Sequence, residues 1–376
     1  MRIAIIIDGL GAGGAEKQAI TAAAELARSG EHVALISYDR RNDFEVFIEQ
    51  EGLRHVNIQS RGILRIGRIL GITKYLREEK FDVVHCFKSN STVYGGLAAI
   101  LAGVTTILGG CRQQMRDRRI VRSLNRWLSP WAAGWVVNSC WTKRRVIEDL
   151  GVTPEKVFVV PNAVDPCRLE VTLSVKEAKA KFGLPQHAPV VTMVAHLRPE
   201  KNYQMFLSVV RLIAQNKPSV RFFSAGDGPL RQKMEALSRK MGVAENLKFL
   251  GHCDAIPELL RATDVLLLTS LSEGLPNALI EGACAGIPCI STDNGGAREV
   301  IDDNLTGFIV PVGDDQAMAY HIIQLLADPT LRKSMGGLAR ELVSARFPLD
   351  SLAENLLRAY RLASGRLPGS APDGSS

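Results

Sequence analysis

The sequence predicts an α/β protein made of two doubly wound, Rossmann-like domains. Three observations carry that expectation. Short runs rich in Val, Ile and Leu alternate with stretches of helical period, as in parallel sheets covered on both faces. The alternation restarts after the turn-rich segment Pro161-Asn162-Ala163-Val164-Asp165. A chain of 376 residues, 46% of them hydrophobic, also suits two domains with sizeable cores.

Residues 2–7 (RIAIII) read as a buried strand that passes through a glycine-rich turn, Gly9 to Gly14, into a helix over 15–28. Strands are expected at 33–37, 55–59, 81–86, 105–108, 134–138 and 157–160, with helices such as 66–79 and 90–102 between them. The second series begins after a charged helix at 174–182 and places strands at 189–195, 220–225, 247–250, 264–269, 287–291 and 307–310. The expected domains are therefore 1–165 and 166–349, followed by a helix at 350–363 and a Gly-, Pro- and Ser-rich tail, 364–376, predicted to be disordered.

Composition excludes several classes. No window approaches the 18 or so uncharged apolar residues of a membrane span. The opening MRIAIIIDGLGAGG lacks a secretory h-region and cleavage site, which predicts a chain that is not exported. Seven cysteines, scattered and without CxxC or Cys/His spacing, are expected to be reduced thiols and no metal site. The formal charge of +7 is concentrated in residues 1–166, where 23 Lys or Arg face 17 Asp or Glu. That asymmetry points to an acidic partner or to a solvated basic face.

Gly9, Gly11 and Gly14 fit G-x-G-x-x-G, with Asp39 at the end of the next strand, the spacing of a dinucleotide fingerprint. Any β-α turn that brings backbone close to a ligand favours glycine, so a phosphate- or sugar-facing turn is the favoured reading, with a dinucleotide site and a merely tight turn as the alternatives. In the second half, Glu273-Gly274-Leu275-Pro276-Asn277-Ala278-Leu279-Ile280-Glu281 follows a strand directly. Pro276 is expected in the first turn of a helix whose leading N–H groups can hold a diphosphate. Glu281, a turn further on, can accept from vicinal hydroxyls, and Glu273 from a second polyhydroxyl group; cap and surface roles are the plain alternatives. Arg198-Pro199-Glu200-Lys201-Asn202 sets cations at another strand's C-terminal edge, suited to a leaving diphosphate. Gly226-Asp227-Gly228-Pro229 and Gly295-Gly296, with Glu299 beyond, make further turns at the same expected edge, where open α/β sheets bind ligands.

The E-x7-E element, with RPEKN (198–202), GDGPL (226–230), FLGH (249–252), the Gly295-Gly296 pair and PNAVD (161–165), resembles family 4 glycosyltransferases over about residues 1–363. Those are retaining, nucleotide-sugar-dependent enzymes of the GT-B fold, in which two such domains face a cleft that holds the donor. The resemblance implies an acceptor-binding first domain, a nucleotide-sugar-binding second domain and a helix at 350–363 crossing back to the first. It implies that Lys201 binds the donor diphosphate, Glu281 the ribose and Glu273 a hydroxyl of the transferred sugar. The backbone of Gly274, Leu275, Pro276 and Asn277 would hold sugar and phosphate, with Gly251 of FLGH beside the base. Gly13 and Gly14 resemble phosphate-facing glycines, and His85 resembles a histidine facing the transferred sugar; a buried core histidine is the other account. One departure stands out: His196 occupies the place of the family's usual arginine, which leaves that role to Arg198 or the site to Lys201 alone.

The implied donor is a nucleoside-diphosphate sugar, with no cofactor and no metal, since helix dipole and cations can stabilise the leaving group. The rival readings are an NAD(P)-binding oxidoreductase built on Gly9 to Gly14, a GT-B sugar-nucleotide epimerase, and a non-catalytic glycan-binding protein of the same fold. Residues 112–126 carry six arginines, Arg116, Arg118, Arg119 and Arg122 among them, and run into Trp127, Trp131 and Trp135. With a second cationic stretch at 61–80, this predicts an anionic membrane surface and a lipid-linked saccharide acceptor at the cytoplasmic leaflet. The alternative is a solvated helix with core tryptophans. No nucleic-acid reading motif accompanies the basic charge.

Overall fold

In the computed structural model, residues 1–11, 13–40, 42–59, 66–112 and 119–365 are described. The chain divides into two compact units, Met1–Ala163 together with the segment from Leu349 onward, and Val164–Pro348. Of the expected tail, 364–376, residues 366–376 lie outside the described residues.

The first unit holds β1 (Arg2–Ile7), β2 (His32–Ser37), β3 (Arg54–Asn57), β4 (Val83–Cys86), β5 (Thr106–Cys111), β6 (Gly134–Val137) and β7 (Val157–Val159). They form one parallel sheet in the order β3-β2-β1-β4-β5-β6-β7. Because side chains alternate along a strand, Ile3, Ile5 and Ile7 of β1 face one way and Ala4 and Ile6 the other. The first set packs with Phe87 and Leu108 beneath the helices Gly14–Arg28 and Leu352–Ala363. The second packs with Val84 and Cys86 beneath Ile66–Glu79 and Ser89–Ala102. The last helix thus belongs to the first unit, where it buries Leu356, Leu357 and Tyr360.

The second unit holds β8 (Val190–Val194), β9 (Arg221–Ala225), β10 (Leu247–Gly251), β11 (Val265–Leu268), β12 (Cys289–Thr292) and β13 (Gly307–Val310). The order β10-β9-β8-β11-β12-β13 is again parallel throughout. In both sheets the chain leaves the first strand in one direction and returns on its other side at the fourth. That reversal opens a crevice between β1 and β4, and between β8 and β11, at the strands' C-terminal ends.

Candidate functional site

In the second unit the crevice is walled by two segments, 195–202 after β8 and 269–277 after β11. They are tied together. Thr269 Oγ1 donates to the Lys201 carbonyl at 2.9 Å, and the Leu271 N–H donates to the Glu200 carbonyl at 2.8 Å. Asn202 takes the left-handed conformation (φ 49°), which asparagine tolerates and which turns the chain from Pro199–Lys201 into the helix Tyr203–Asn216. The result brings Lys201 Nζ onto a Glu273 carboxylate oxygen as an ion pair. Glu273 is buried and its carboxylate also accepts from Ser270 Oγ at 2.6 Å.

The segment after Glu273 is fixed by the turn after β12. The Glu273 N–H donates to the Asn294 carbonyl at 2.9 Å, and the Gly296 N–H donates back to the Glu273 carbonyl at 3.1 Å. Gly296 packs so closely that a Cβ there would fall on the Gly274 carbonyl oxygen. The helix that follows is Asn277–Cys284, entered without a side-chain cap. Pro276 is its cap residue rather than a member of its first turn, because its ψ of 108° is extended. Gly274, Leu275 and Pro276 are buried, Asn277 is half-buried, and Glu281 stands half-buried one turn into the helix. Arg198 is exposed at the head of the Pro199–Lys201 turn, and its guanidinium makes no ion pair among the described residues. His196, in the arginine's expected place, is held by the Asp227 carbonyl, 3.0 Å from its Nδ1. Gly251 (φ 70°) ends β10, and its carbonyl accepts from the Gly226 N–H at 2.7 Å.

In the first unit, Gly13 caps the helix Gly14–Arg28, and a carboxylate oxygen of Glu16 lies where a Cβ on Gly13 would stand. Glu16 pairs with Lys88 Nζ at 2.9 Å, and Lys88 also faces Asp8 at 3.5 Å. Asp8 accepts further bonds from the Tyr38 hydroxyl at 2.8 Å and from Asn90 Nδ2 at 3.2 Å. This charged cluster occupies the crevice between β1 and β4. The sequence carried a signal for it in the charges that directly follow each strand, Asp8 after β1 and Lys88 two residues beyond β4.

His85 is fully buried in β4. Its Nδ1 lies 2.8 Å from the Tyr360 hydroxyl, and its Nε2 has no partner among the described residues. Burial, helped by the nearby Arg112 charge, pushes its pKa down to about 3, so the ring is neutral. Arg112 corrects the expected basic surface. It is buried, stacked 3.9 Å over the Phe87 ring, and donates from Nη1 to Asn162 Oδ1 at 3.0 Å. Trp135 is likewise core, as an inward residue of β6. Arg116 and Arg118 lie outside the described residues. Arg119 is exposed, Arg122 faces Asp149 at 3.6 Å, and Trp127 and Trp131 are exposed with ring centroids 5.1 Å apart. Among the described residues no helix is long and apolar enough to cross a membrane, and no group of three His, Cys, Asp or Glu is placed to hold a metal ion.

Comparison with known proteins decides the family. Residues 12–168 match the model for Glycosyltransferase Family 4 and residues 174–342 that for Glycosyl transferases group 1. An Escherichia coli UDP-Gal:alpha-D-GlcNAc-diphosphoundecaprenol alpha-1,3-galactosyltransferase is 30% identical over 279 residues, 70% of this chain and 71% of its own. The chain belongs to the family 4 glycosyltransferases. This glycosyltransferase is also similar to a Campylobacter jejuni GalNAc-alpha-(1->4)-GalNAc-alpha-(1->3)-diNAcBac-PP-undecaprenol alpha-1,4-N-acetyl-D-galactosaminyltransferase, at 27% identity over 91% of this chain and 93% of that one. Its fold is that of Anabaena HepE solved in complex with UDP-glucose, with a TM-score of 0.86 at 19% identity over 95% of this chain and 98% of that one. The GT-B architecture expected from the sequence is therefore present.

Proposed function

We propose that this glycosyltransferase moves a sugar, with retention at the anomeric carbon, from a nucleoside-diphosphate sugar to a hydroxyl of a lipid-linked saccharide in cell-surface polysaccharide assembly. The observation that carries the reading is the Lys201–Glu273 pair in the crevice between β8 and β11, beside a helix entered without a side-chain cap. A leaving diphosphate needs its growing charge stabilised, and a lysine and a helix N-terminus supply that. Glu273 accepts a hydroxyl of the transferred sugar and Glu281 the ribose hydroxyls, with Gly274 to Asn277 along the sugar and phosphate and Gly251 beside the base. Attack from the leaving-group face lets the departing phosphate take the acceptor's proton, so the reaction calls on no cofactor, metal or strong protein base. Relatives whose names specify diphosphoundecaprenol-linked saccharides support the acceptor class.

The first unit supports a membrane-surface role for the acceptor side. On the helix Arg119–Leu128, Ile120, Leu124 and Trp127 are spaced three to four residues apart and are 77%, 39% and 57% exposed; Trp131, just beyond, is 50% exposed. The helix is anchored by buried Leu128 and by Asn125, whose Nδ2 donates to the Ser89 carbonyl at 2.9 Å. An apolar stripe with paired indoles and flanking arginines suits an anionic headgroup layer, which supports reading the enzyme as peripheral on the cytoplasmic leaflet. A panel of nucleoside-diphosphate sugars, read by release of free nucleoside diphosphate with and without polyprenyl-diphosphate saccharides, tests the reading. Release that depends on the lipid-linked acceptor and persists in EDTA is expected; release with no donor overturns it.

A further inference from the structure

Of the five buried side-chain nitrogens of the first unit without a partner among the described residues, Arg68 Nε, His85 Nε2, Arg112 Nε, Trp135 Nε1 and Arg145 Nε, two belong to side chains on one aromatic ring: Arg112 Nε and His85 Nε2. Both side chains pack on Phe87, the guanidinium carbon 3.9 Å and the imidazole centroid 5.3 Å from its ring centroid. They are brought together by the approach of β5 to β4. At Gly110 a Cβ would fall on the Cys86 carbonyl oxygen, so only glycine lets the end of β5 lie this close and carry Arg112 over Phe87. Arg112 has no carboxylate partner among the described residues; its hydrogen bond is to the neutral Asn162. A buried guanidinium without a counter-charge costs stability, and burial draws its pKa down only to about 10, leaving it charged at neutral pH.

The protons on His85 can be placed by accounting. Among the described residues the Tyr360 hydroxyl has one hydrogen-bond partner, His85 Nδ1, at 2.8 Å. If the hydroxyl donates, the remaining imidazole proton sits on Nε2 and one buried donor is left over. If Nδ1 donates instead, both the hydroxyl proton and the bare Nε2 are left unsatisfied. The first arrangement wastes less. His85 Nε2–H and Arg112 Nε–H are then two free buried donors on side chains that both pack on Phe87, one of them on a full positive charge.

We propose that Arg112 and His85 form a receptor for one phosphate group in the first unit, with Tyr360 as the residue that positions His85. A phosphate oxygen would satisfy both donors and supply the absent counter-charge. The choice of phosphate rests on the reading above, in which donor and lipid-linked acceptor each bring a diphosphate. The receptor explains why a buried cation is retained where an apolar side chain would pack at lower cost.

Calorimetric titration of the full chain with UDP and, separately, with geranyl diphosphate tests this. Arg112→Met is expected to melt no lower than the wild type, because it removes an unpaired buried charge, and to bind at least one probe about tenfold or more weakly. Loss confined to UDP assigns the phosphate to the donor, and loss confined to geranyl diphosphate assigns it to the acceptor. Should Arg112→Met not fold, Arg112→Lys, which keeps the charge and loses the Nε donor, carries the same comparison. Nitrogen-15 NMR of the imidazole is expected to show the proton on Nε2 in the wild type and mixed tautomers in Tyr360→Phe, with weaker binding of the same probe. Unchanged binding of both probes by the Arg112 variant, or binding of neither by the wild type, overturns the receptor. If the wild type turns over no nucleotide sugar yet the Arg112 variant still loses diphosphate binding, the functional reading fails and the receptor stands.

Discussion

Lys201 and Glu273 arrive at one point from segments 72 residues apart, and the ammonium group rests on the carboxylate. The pairing means that Lys201 is partly neutralised before a diphosphate arrives. Glu273→Gln is therefore expected to tighten UDP binding by about threefold to tenfold while turnover falls, because the same change weakens the sugar contact. Lys201→Ala is expected to weaken donor use by about 10- to 100-fold. Calorimetry with UDP and steady-state kinetics separate the two effects; weaker UDP binding in Glu273→Gln would contradict this account of the pair.

Glu281 and Arg198 make a second comparison. Glu281→Ala is expected to cost about 10- to 100-fold in kcat/KM for the donor through lost ribose contacts. Arg198 is exposed, so Arg198→Ala matches that loss only if the side chain folds over the phosphates in place of the arginine that His196 displaces. A loss below about threefold would leave the phosphate to Lys201 and the helix start.

Gly296 offers a backbone test. A Cβ there would meet the Gly274 carbonyl, a backbone atom that cannot swing aside. Gly296→Ala is expected to displace residues 273–276 and lower donor use about tenfold or more, while Gly313→Ala, with open space at its Cβ and φ of 90°, affects stability alone. Equal kinetics for the two variants would count against a role for the 273–276 backbone.

Much of this was legible in the sequence. Each of the expected strands is present, with ends shifted by a few residues, because a strand buried on both faces must be a continuous apolar run. The grouping of the second unit's candidate residues was legible too, since they sit in loops directly after strands. What could not be read were pairings set by the packing of distant segments. Tyr360 and His85 are 275 residues apart and meet only because the last helix packs on the first sheet. Arg112 looked like the first of a surface run, yet it follows β5 in register with inward-facing Leu108, and the alternation of side chains carries it inside. Trp127 and Trp135 share a composition signal, but one lies on a helix's open face and the other on an inward position of β6.

His85 links stability to pH. Its pKa in the folded chain, about 3, lies below the ordinary value of 6.5, so the unfolded chain takes up the proton first as pH falls. The stabilisation is whole above about pH 6.5 and is lost progressively towards about pH 3, on the order of a few kcal/mol in all. Melting temperature is expected to fall between about pH 7.5 and about pH 5, and to fall less in His85→Asn, which has no proton to gain there. Parallel declines in the two proteins would assign the acid sensitivity to other groups.

The exposed face of the helix Arg119–Leu128 makes the sharpest prediction for the cell. Ile120, Leu124, Trp127 and Trp131 form a stripe that water disfavours, and Arg119 and Arg126 stand exposed on the same helix, while Arg122 is partly engaged by Asp149. Insertion of the indoles should depend little on salt, whereas arginine attraction to anionic headgroups is screened over about 10 Å at 0.1 M salt. Co-sedimentation with phosphatidylglycerol-containing vesicles is therefore expected to be strong at low salt and to weaken, without vanishing, as salt rises. Arg119→Gln with Arg126→Gln should remove the salt-dependent part. Trp127→Ala with Trp131→Ala should remove the part that remains, with little change in melting temperature because both side chains are already exposed. Equal binding to neutral and anionic vesicles would remove the arginine contribution, and binding to neither would leave this face without a membrane role and make a soluble acceptor the better reading.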